Sequence, residues 1–247
     1  MRVAVAGGTG LVGKYAVGEL RAAGHTPVIL ARSHGVDLTT GAGLAEKLSG
    51  SDAVIDVANI VTTRRKPAVD FFSRTTGNLI AAARAGGVAH LVTLSIVGSD
   101  EVDFGYYFGK RAQEKLVRDG SVPWTVVRAT QFFEFPEPLL NSASPVVVVP
   151  RMLTRPVAAQ DVAQRLVEHA VGGPAGMAPE IAGPDQLDMV DMARRIARAR
   201  GRRRLVVPVT LPGKVGKAMT TGGLLPRGEY LRGRRTFEAH LASLPAA

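Results

Sequence analysis

Cysteine is absent from this 247-residue chain and tryptophan occurs once. Without thiols there can be no disulfide, thiolate metal site, iron–sulfur cluster or cysteine nucleophile, and such usage fits a reducing compartment. No run of about 18 apolar residues occurs, because Gly, Pro or charge interrupts every hydrophobic stretch, so a membrane-spanning helix is not expected. The opening run Val3-Ala4-Val5-Ala6 is too short for a signal-peptide core and reads as a strand. A cytoplasmic location without a membrane partner follows as the expectation.

Acidic residues are also short, at 21 against 31 Lys and Arg, a formal charge of +10. Thirteen of the cations lie between Arg194 and Arg235 with Glu229 as their one acid, so this segment carries +12 and the remainder is near neutral. A solvated amphipathic face explains most of that charge, since Arg194, Arg195 and Arg198 alternate with Met192, Ile196 and Ala199. Aromatics for base stacking are sparse there, so nucleic acid is not the expected partner. The five histidines are scattered and no carboxylates pair at ligand spacing, so no metal site is expected. Neither a Gly-x-Ser-x-Gly elbow nor a Gly-Lys-Ser/Thr P-loop ending is present, which removes support for a serine hydrolase or a P-loop nucleotidase.

What the chain does contain is ordinary globular material, 46% hydrophobic and 21% charged, enough for one or two domains. Apolar strand-like runs at Val3–Ala6, Pro27–Ala31, Ala53–Val57, Val88–Leu94 and Trp124–Val127 alternate with helical patterns from Leu11, over Val69–Ala85 and near 105–119. That rhythm predicts a parallel α/β sheet covered on both faces. Beyond Ala129, Pro136, Pro138, Pro145, Pro150 and Pro156 break the rhythm. One strand candidate, Val146–Val149, lies among them, then a helix over Ala158–Ala170 and a short strand at Glu180–Ala182.

Gly7-Gly8-Thr9-Gly10-Leu11-Val12-Gly13 falls between the first strand and the first helix. Glycines there allow a tight turn and a close backbone approach to a diphosphate, while the first N–H groups of the helix and its dipole face the phosphates. The second strand ends in Leu30-Ala31-Arg32-Ser33-His34, with no acid before Asp37. An arginine in that place suits a 2′-phosphate, which points to NADP(H) over NAD(H). Asp37 either touches the adenine or caps the next helix.

The glycine turn, Arg32, Asp56-Val57-Ala58-Asn59 and Ser95-Ile96-Val97-Gly98 together resemble the atypical short-chain dehydrogenase/reductases, in the NAD(P)H-binding, NmrA-like group. The segment Trp124 to Phe132 resembles that group's strand beside the nicotinamide, with Ala129 where a proline often follows the arginine. The resemblance implies a doubly wound Rossmann-type core over residues 1–130, with 155–183 returning to it, and a small substrate lobe from 131–154 and 184–247. It implies cofactor contacts from Gly7, Thr9, Gly10, Leu11, Val12, Gly13, Arg32, Asp37, Val57, Ala58, Asn59, Lys110, Gln131 and Phe132.

Tyr106 and Lys110, at i and i+4, share one helix face. A neighbouring ammonium favours phenolate, so Lys110 is expected to lower the pKa of Tyr106. Tyr106 would then donate a proton to a carbonyl oxygen that Ser95 also hydrogen-bonds, while Lys110 holds the cofactor ribose. Ser95, Tyr106 and Lys110 match the short-chain dehydrogenase pattern in order. The alternatives are packing aromatics with a surface lysine, or Tyr107 as the phenol; Phe132 and Phe133 line a pocket or pack beneath the lobe. Two functions stay open: an NADPH-dependent reductase of a small carbonyl or quinone-like substrate, and a non-catalytic NADP(H) sensor. Either suits a monomer or a homodimer.

Overall fold

The computed structural model describes residues 1–245; residues 246–247, the end of the expected lobe, lie outside the described residues. Strands β1 (Arg2–Ala6) and β2 (Thr26–Leu30) flank helix α1 (Leu11–Ala22), and the short α2 (Leu44–Leu48) leads into β3 (Ala53–Asp56). Helix α3 (Arg65–Ala85), β4 (His90–Ile96), α4 (Gly105–Asp119) and β5 (Trp124–Ala129) follow in alternation. β4 begins two residues later than the hydrophobic pattern predicts. Val88 donates its N–H to Ala83 O at 2.9 Å and so closes the end of α3 rather than opening the ladder.

Past β5 come α5 (Glu137–Leu140), β6 (Val146–Pro150), β7 (Leu153–Thr154), α6 (Ala159–Gly172), β8 (Gly176–Met177), β9 (Glu180–Ala182) and β10 (Leu187–Asp188). The chain ends with α7 (Met189–Ala199), β11 (Leu205–Val209), α8 (Gly213–Thr220), β12 (Tyr230–Arg232) and α9 (Phe237–Ser243). The main sheet runs β12-β9-β5-β4-β3-β1-β2, with β8 also paired to β5, and every pairing in it is parallel.

Alternation along β1 explains why both faces are covered. Val3 and Val5 pack with Ala16 and Leu20 of α1 and Val162 and Leu166 of α6; Ala4 and Ala6 pack with Leu44, Leu79 and Val117 from the opposite layer. Each fully buried Val or Leu contributes about 1.5–3 kcal/mol, so both helical layers are held by the same strand. The chain leaves β1 for β2 on one flank, then crosses to β3 on the other. This switch opens a crevice at the carboxyl ends of β1 and β3, where such sheets take their ligands.

A second apolar cluster gathers Phe133, Val147, Val149, Met152, Met192, Ile196, Val206 and Phe237, under the parallel pair β6 and β11. Tyr107 belongs to it, so α4 serves both cores. The range 184–247 does not lie wholly apart from the sheet, because β12 returns to pair with β9 through Tyr230↔Glu180 and Leu231↔Ile181.

The arginines of the C-terminal segment are tied into structure more than the expected solvated face allows. Arg200 pairs with Glu137 at 2.8 Å, Arg202 donates to Asn141 Oδ1 at 2.7 Å and Arg204 to Ser144 O at 2.7 Å. Arg195 reaches Glu238, and Arg235 reaches the buried Asp161. Their partners are distant in sequence, which is why a helical-face reading missed them.

Candidate active site

The glycine turn is built so that only hydrogen fits at two of its positions. Gly7 has φ +78°, and a methyl group on it would stand 2.9 Å from Val57 O. A methyl on Gly13 would stand 2.2 Å from Gly7 O, well inside van der Waals contact. Gly7 N–H donates to Leu30 O at 3.1 Å and Val57 N–H to Ala6 O at 3.0 Å, so the turn is pinned between the ends of β2 and β3.

Helix α1 opens with Gly10, without a side-chain cap and without an acid in its first turn. Its first hydrogen bond runs from Lys14 N–H to Gly10 O at 2.9 Å, which leaves the N–H groups of Leu11, Val12 and Gly13 with no intrahelical acceptor. Three free donors at the positive end of a helix dipole form a cradle for a diphosphate. Thr9 and Leu11 are exposed at its mouth, while Val12 is buried.

Arg32 stands exposed just beyond β2 and makes no ion pair among the described residues. Asp37 Oδ1 accepts from Thr39 N–H at 2.8 Å, so it closes its own loop; α2 is opened by Gly43 instead. After β3, Ala58 N–H donates to Asp56 Oδ1 at 3.0 Å, and Asn59 is exposed at the crevice.

Helix α4 brings its side chains to the same edge of the sheet, but Ser95, Tyr106 and Lys110 do not meet through any hydrogen bond. Tyr106 donates to Asn59 Oδ1 at 2.6 Å. Ser95, buried in β4, donates to Glu114 Oε1 at 2.6 Å. Lys110 is 5% exposed, donates to Leu94 O at 2.6 Å and to Gln113 Oε1, and lies 4.6 Å from the centre of the Phe72 ring. That ring also packs edge-on against Tyr106 at 5.7 Å.

Lys110 does not lower the Tyr106 pKa as expected. Burial, with Tyr107 close by, pushes the Tyr106 phenol above its ordinary value, and no ammonium opposes it. Burial pushes Lys110 down to about 8 against the attraction of Asp56 and Glu114. The shared helix face was legible from i, i+4 spacing; the insertion of Phe72 from α3 was not.

Behind these groups lies a second tier that sequence reasoning passed over. Glu114 Oε1 and Oε2 accept from Arg128 Nε at 2.9 Å and Nη2 at 2.8 Å, and Arg128 Nη1 donates to Asp100 Oδ2 at 2.8 Å. Burial raises the Glu114 carboxyl, but the Arg128 and Ser95 hydrogen bonds outweigh it and hold the group below its usual range. Gln113 Nε2 donates to Asp56 Oδ2 at 2.9 Å. Gln113 and Glu114 follow Lys110 at i+3 and i+4, a spacing that already placed them on its face.

Past β5, Gln131 is buried beside the Tyr107 phenol and accepts from Thr154 Oγ1. Phe132 is half-buried and bridges to Val157, whereas Phe133 packs in the lobe core, its ring tilted against that of Phe237 at 5.5 Å. Of the two, Phe133 packs beneath the lobe.

Parallel strands with a switch point, a glycine turn at the carboxyl end of the first and uncapped donors behind it define a dinucleotide-binding α/β protein. The sequence profile described as NAD(P)H-binding matches residues 7–170, and the chain belongs to that family, within the atypical short-chain dehydrogenase/reductase group. A reductase of (4-alkanoyl-5-oxo-2,5-dihydrofuran-3-yl)methyl phosphate from Streptomyces griseus is 32% identical over 221 residues, covering 81% of this chain and 74% of the relative. Among solved structures, the Citrobacter sp. triphenylmethane reductase complexed with NADP(H) superposes with TM-score 0.69 at 15% identity, covering 92% of this chain and 93% of that one. The UDP-glucose 4-epimerase from Brucella ovis in complex with NAD gives TM-score 0.70 at 17% identity, covering 86% and 87%. One neighbour carries NADP(H) and the other NAD, so the fold alone does not choose between them.

Proposed function

We propose that the protein is an NADPH-dependent reductase of the NmrA-like kind, acting on a small carbonyl-bearing or quinone-like substrate, with Tyr106 as the proton donor. The observation that carries this reading is the Tyr106 hydroxyl, 2.6 Å from Asn59 Oδ1 at the mouth of the crevice. Of the candidate groups it alone is partnered by an exposed loop side chain, so its proton can be redirected without opening the core. The nicotinamide supplies hydride when bound. The free N–H groups of Leu11, Val12 and Gly13 hold the diphosphate, Arg32 meets the 2′-phosphate, and Val57, Ala58 and Asn59 line the path between them.

A neutral phenol is the protonation state that donation requires, and burial keeps Tyr106 neutral through the physiological range. Residues 131–154, 184–229 and 233–245 serve as the substrate lobe, β12 excepted, with Gln131 and Phe132 at its hinge with the core. The named substrate of the Streptomyces relative carries an alkanoyl and a ring carbonyl, which supports a carbonyl-conjugated acceptor here. The test is oxidation of NADPH, followed by its absorbance, over ketones, aldehydes, quinones and that butenolide phosphate. Tyr106→Phe is expected to lower turnover by about 10²–10⁴-fold while cofactor affinity holds; unchanged turnover removes Tyr106 from the chemistry.

One observation favours a second reading, a non-catalytic NADP(H) sensor. Ser95 and Lys110 have their protons engaged by Glu114, Gln113 and Leu94 O, as they would in a site that only binds. Tight NADPH binding with no turnover across the same panel selects the sensor.

A further inference from the structure

Asp56 is an acid at the end of a strand in which all four residues are buried, an expensive place for a carboxylate. Its two oxygens are used separately. Oδ1 accepts from Ala58 N–H at 3.0 Å and so shapes the Val57–Asn59 loop, and Oδ2 accepts from Gln113 Nε2 at 2.9 Å. Gln113, itself fully buried, turns its other end to Lys110, whose ammonium donates to Oε1. An amide with one donor end and one acceptor end fits between a carboxylate and an ammonium in one orientation only. The charges on both sides thus determine which way Gln113 faces.

We propose that Asp56 and Gln113 are positioning residues that hold Lys110 as an ammonium and tie it to the loop on which Asn59 receives the Tyr106 hydroxyl. The inference rests on the reading of this crevice as a nicotinamide-nucleotide site, but the linkage itself concerns protein groups alone. The charged groups that reach Lys110 are Asp56 from β3 and Glu114 from its own helix. Helix α3 presents the Phe72 ring, and β4 presents the Leu94 carbonyl. Glu114 is already engaged by Arg128 and Ser95, which leaves Asp56 as the main counter-charge; burial raises its carboxyl, and Ala58 N–H, Lys110 and Gln113 oppose that rise.

Replacing the carboxylate by an amide removes that counter-charge and sets its NH2 against one of the two donors, Ala58 N–H or Gln113 Nε2, that Asp56 now accepts from. Asp56→Asn therefore lowers the Lys110 pKa further below about 8. Gln113→Glu puts a carboxylate directly on the ammonium, with a proton from solvent shared between it and Asp56, whose carboxyl burial already raises; the nearer negative charge raises the Lys110 pKa. Opposite movements from two substitutions on one chain of contacts are not what a packing defect produces.

The experiment is carbon-13 NMR of isotopically labelled lysine, with Lys110 assigned by Lys110→Arg and titrated in the full chain without cofactor. Alongside it, NADPH affinity is measured by fluorescence across pH. The expected result is a shift of about one pH unit or more downward in Asp56→Asn and upward in Gln113→Glu, with the basic limb of NADPH binding moving the same way. Gln113→Leu keeps the test available if either polar variant fails to fold, and is expected to lower the value because it deletes the relay. Titrations of Lys110 that coincide with wild type, that move in one common direction in Asp56→Asn and Gln113→Glu, or that fail to fall in Gln113→Leu overturn the proposal. If Lys110 titrates as stated while NADPH does not bind to any form, the linkage stands and the cofactor reading falls.

Discussion

The two halves of the crevice are prepared in opposite ways. On the side of α1 the polar groups are left open: Leu11, Val12 and Gly13 have no helical acceptor, and Arg32 makes no ion pair among the described residues. On the side of α4 they are closed, with Ser95 on Glu114, Lys110 on Gln113 and Leu94 O, and Tyr106 on Asn59. Backbone donors at a helix end cost little to leave exposed because water satisfies them. Buried hydroxyls and ammonium groups have no water to turn to and must find partners inside the protein. The α1 side is thus ready to bind, whereas the α4 side must exchange at least one internal hydrogen bond before it can meet a ligand.

The largest expected effect tests the closed half. Glu114→Leu leaves Arg128 charged and stripped of its main partner, and is expected to cost about 3–5 kcal/mol in chemical denaturation. Because the folded Glu114 carboxyl titrates below its unfolded value, its stabilisation is complete above the unfolded value and fades as acid carries the pH down through the folded one. The variant should therefore lose most against wild type near neutrality and least in acid. A constant difference at all pH values would mean that Glu114 acts through packing alone.

Next comes the open half, where the closeness of Gly7 O predicts that Gly13→Ala weakens NADPH binding by about 100-fold or more in calorimetry. Since the methyl would strike backbone, its stability in the absence of cofactor should be compared in the same preparation; full affinity would show that the turn gives way and is not a fixed cradle. The smallest effect sharpens the contrast further. Arg32→Glu is expected to lower NADPH affinity by about tenfold while leaving NADH within about twofold, because only one of the two carries the extra phosphate. Equal losses for both would make Arg32 a general electrostatic contributor and return the choice of cofactor to some other residue.

Most of the core was legible because it is local. The apolar run of β1, the glycines at intervals of three and the helical spacing of α1 each lie within a short stretch, and each found its element. The less legible parts depend on partners far away in sequence. β12 reads as part of a lobe until Tyr230 pairs with Glu180, and Arg200 reads as a solvated charge until Glu137 reaches it. The same limit applied at the site. Lys110 shares a face with Tyr106, as four-residue spacing requires, yet Phe72 from α3 packs against both and Asp56 from β3 supplies the opposing charge.

The order of residues alone determined a nucleotide-binding turn, since a methyl-free path for the backbone and unclaimed helix-end donors follow from which residues stand between the first strand and the first helix. Tertiary structure alone decided what the polar side chains behind that turn were free to do. Whether a hydroxyl or an ammonium has a proton to offer depends on which acceptors the fold folds in beside it, and those acceptors come from Asp56, Leu94 and Glu114 on separate elements.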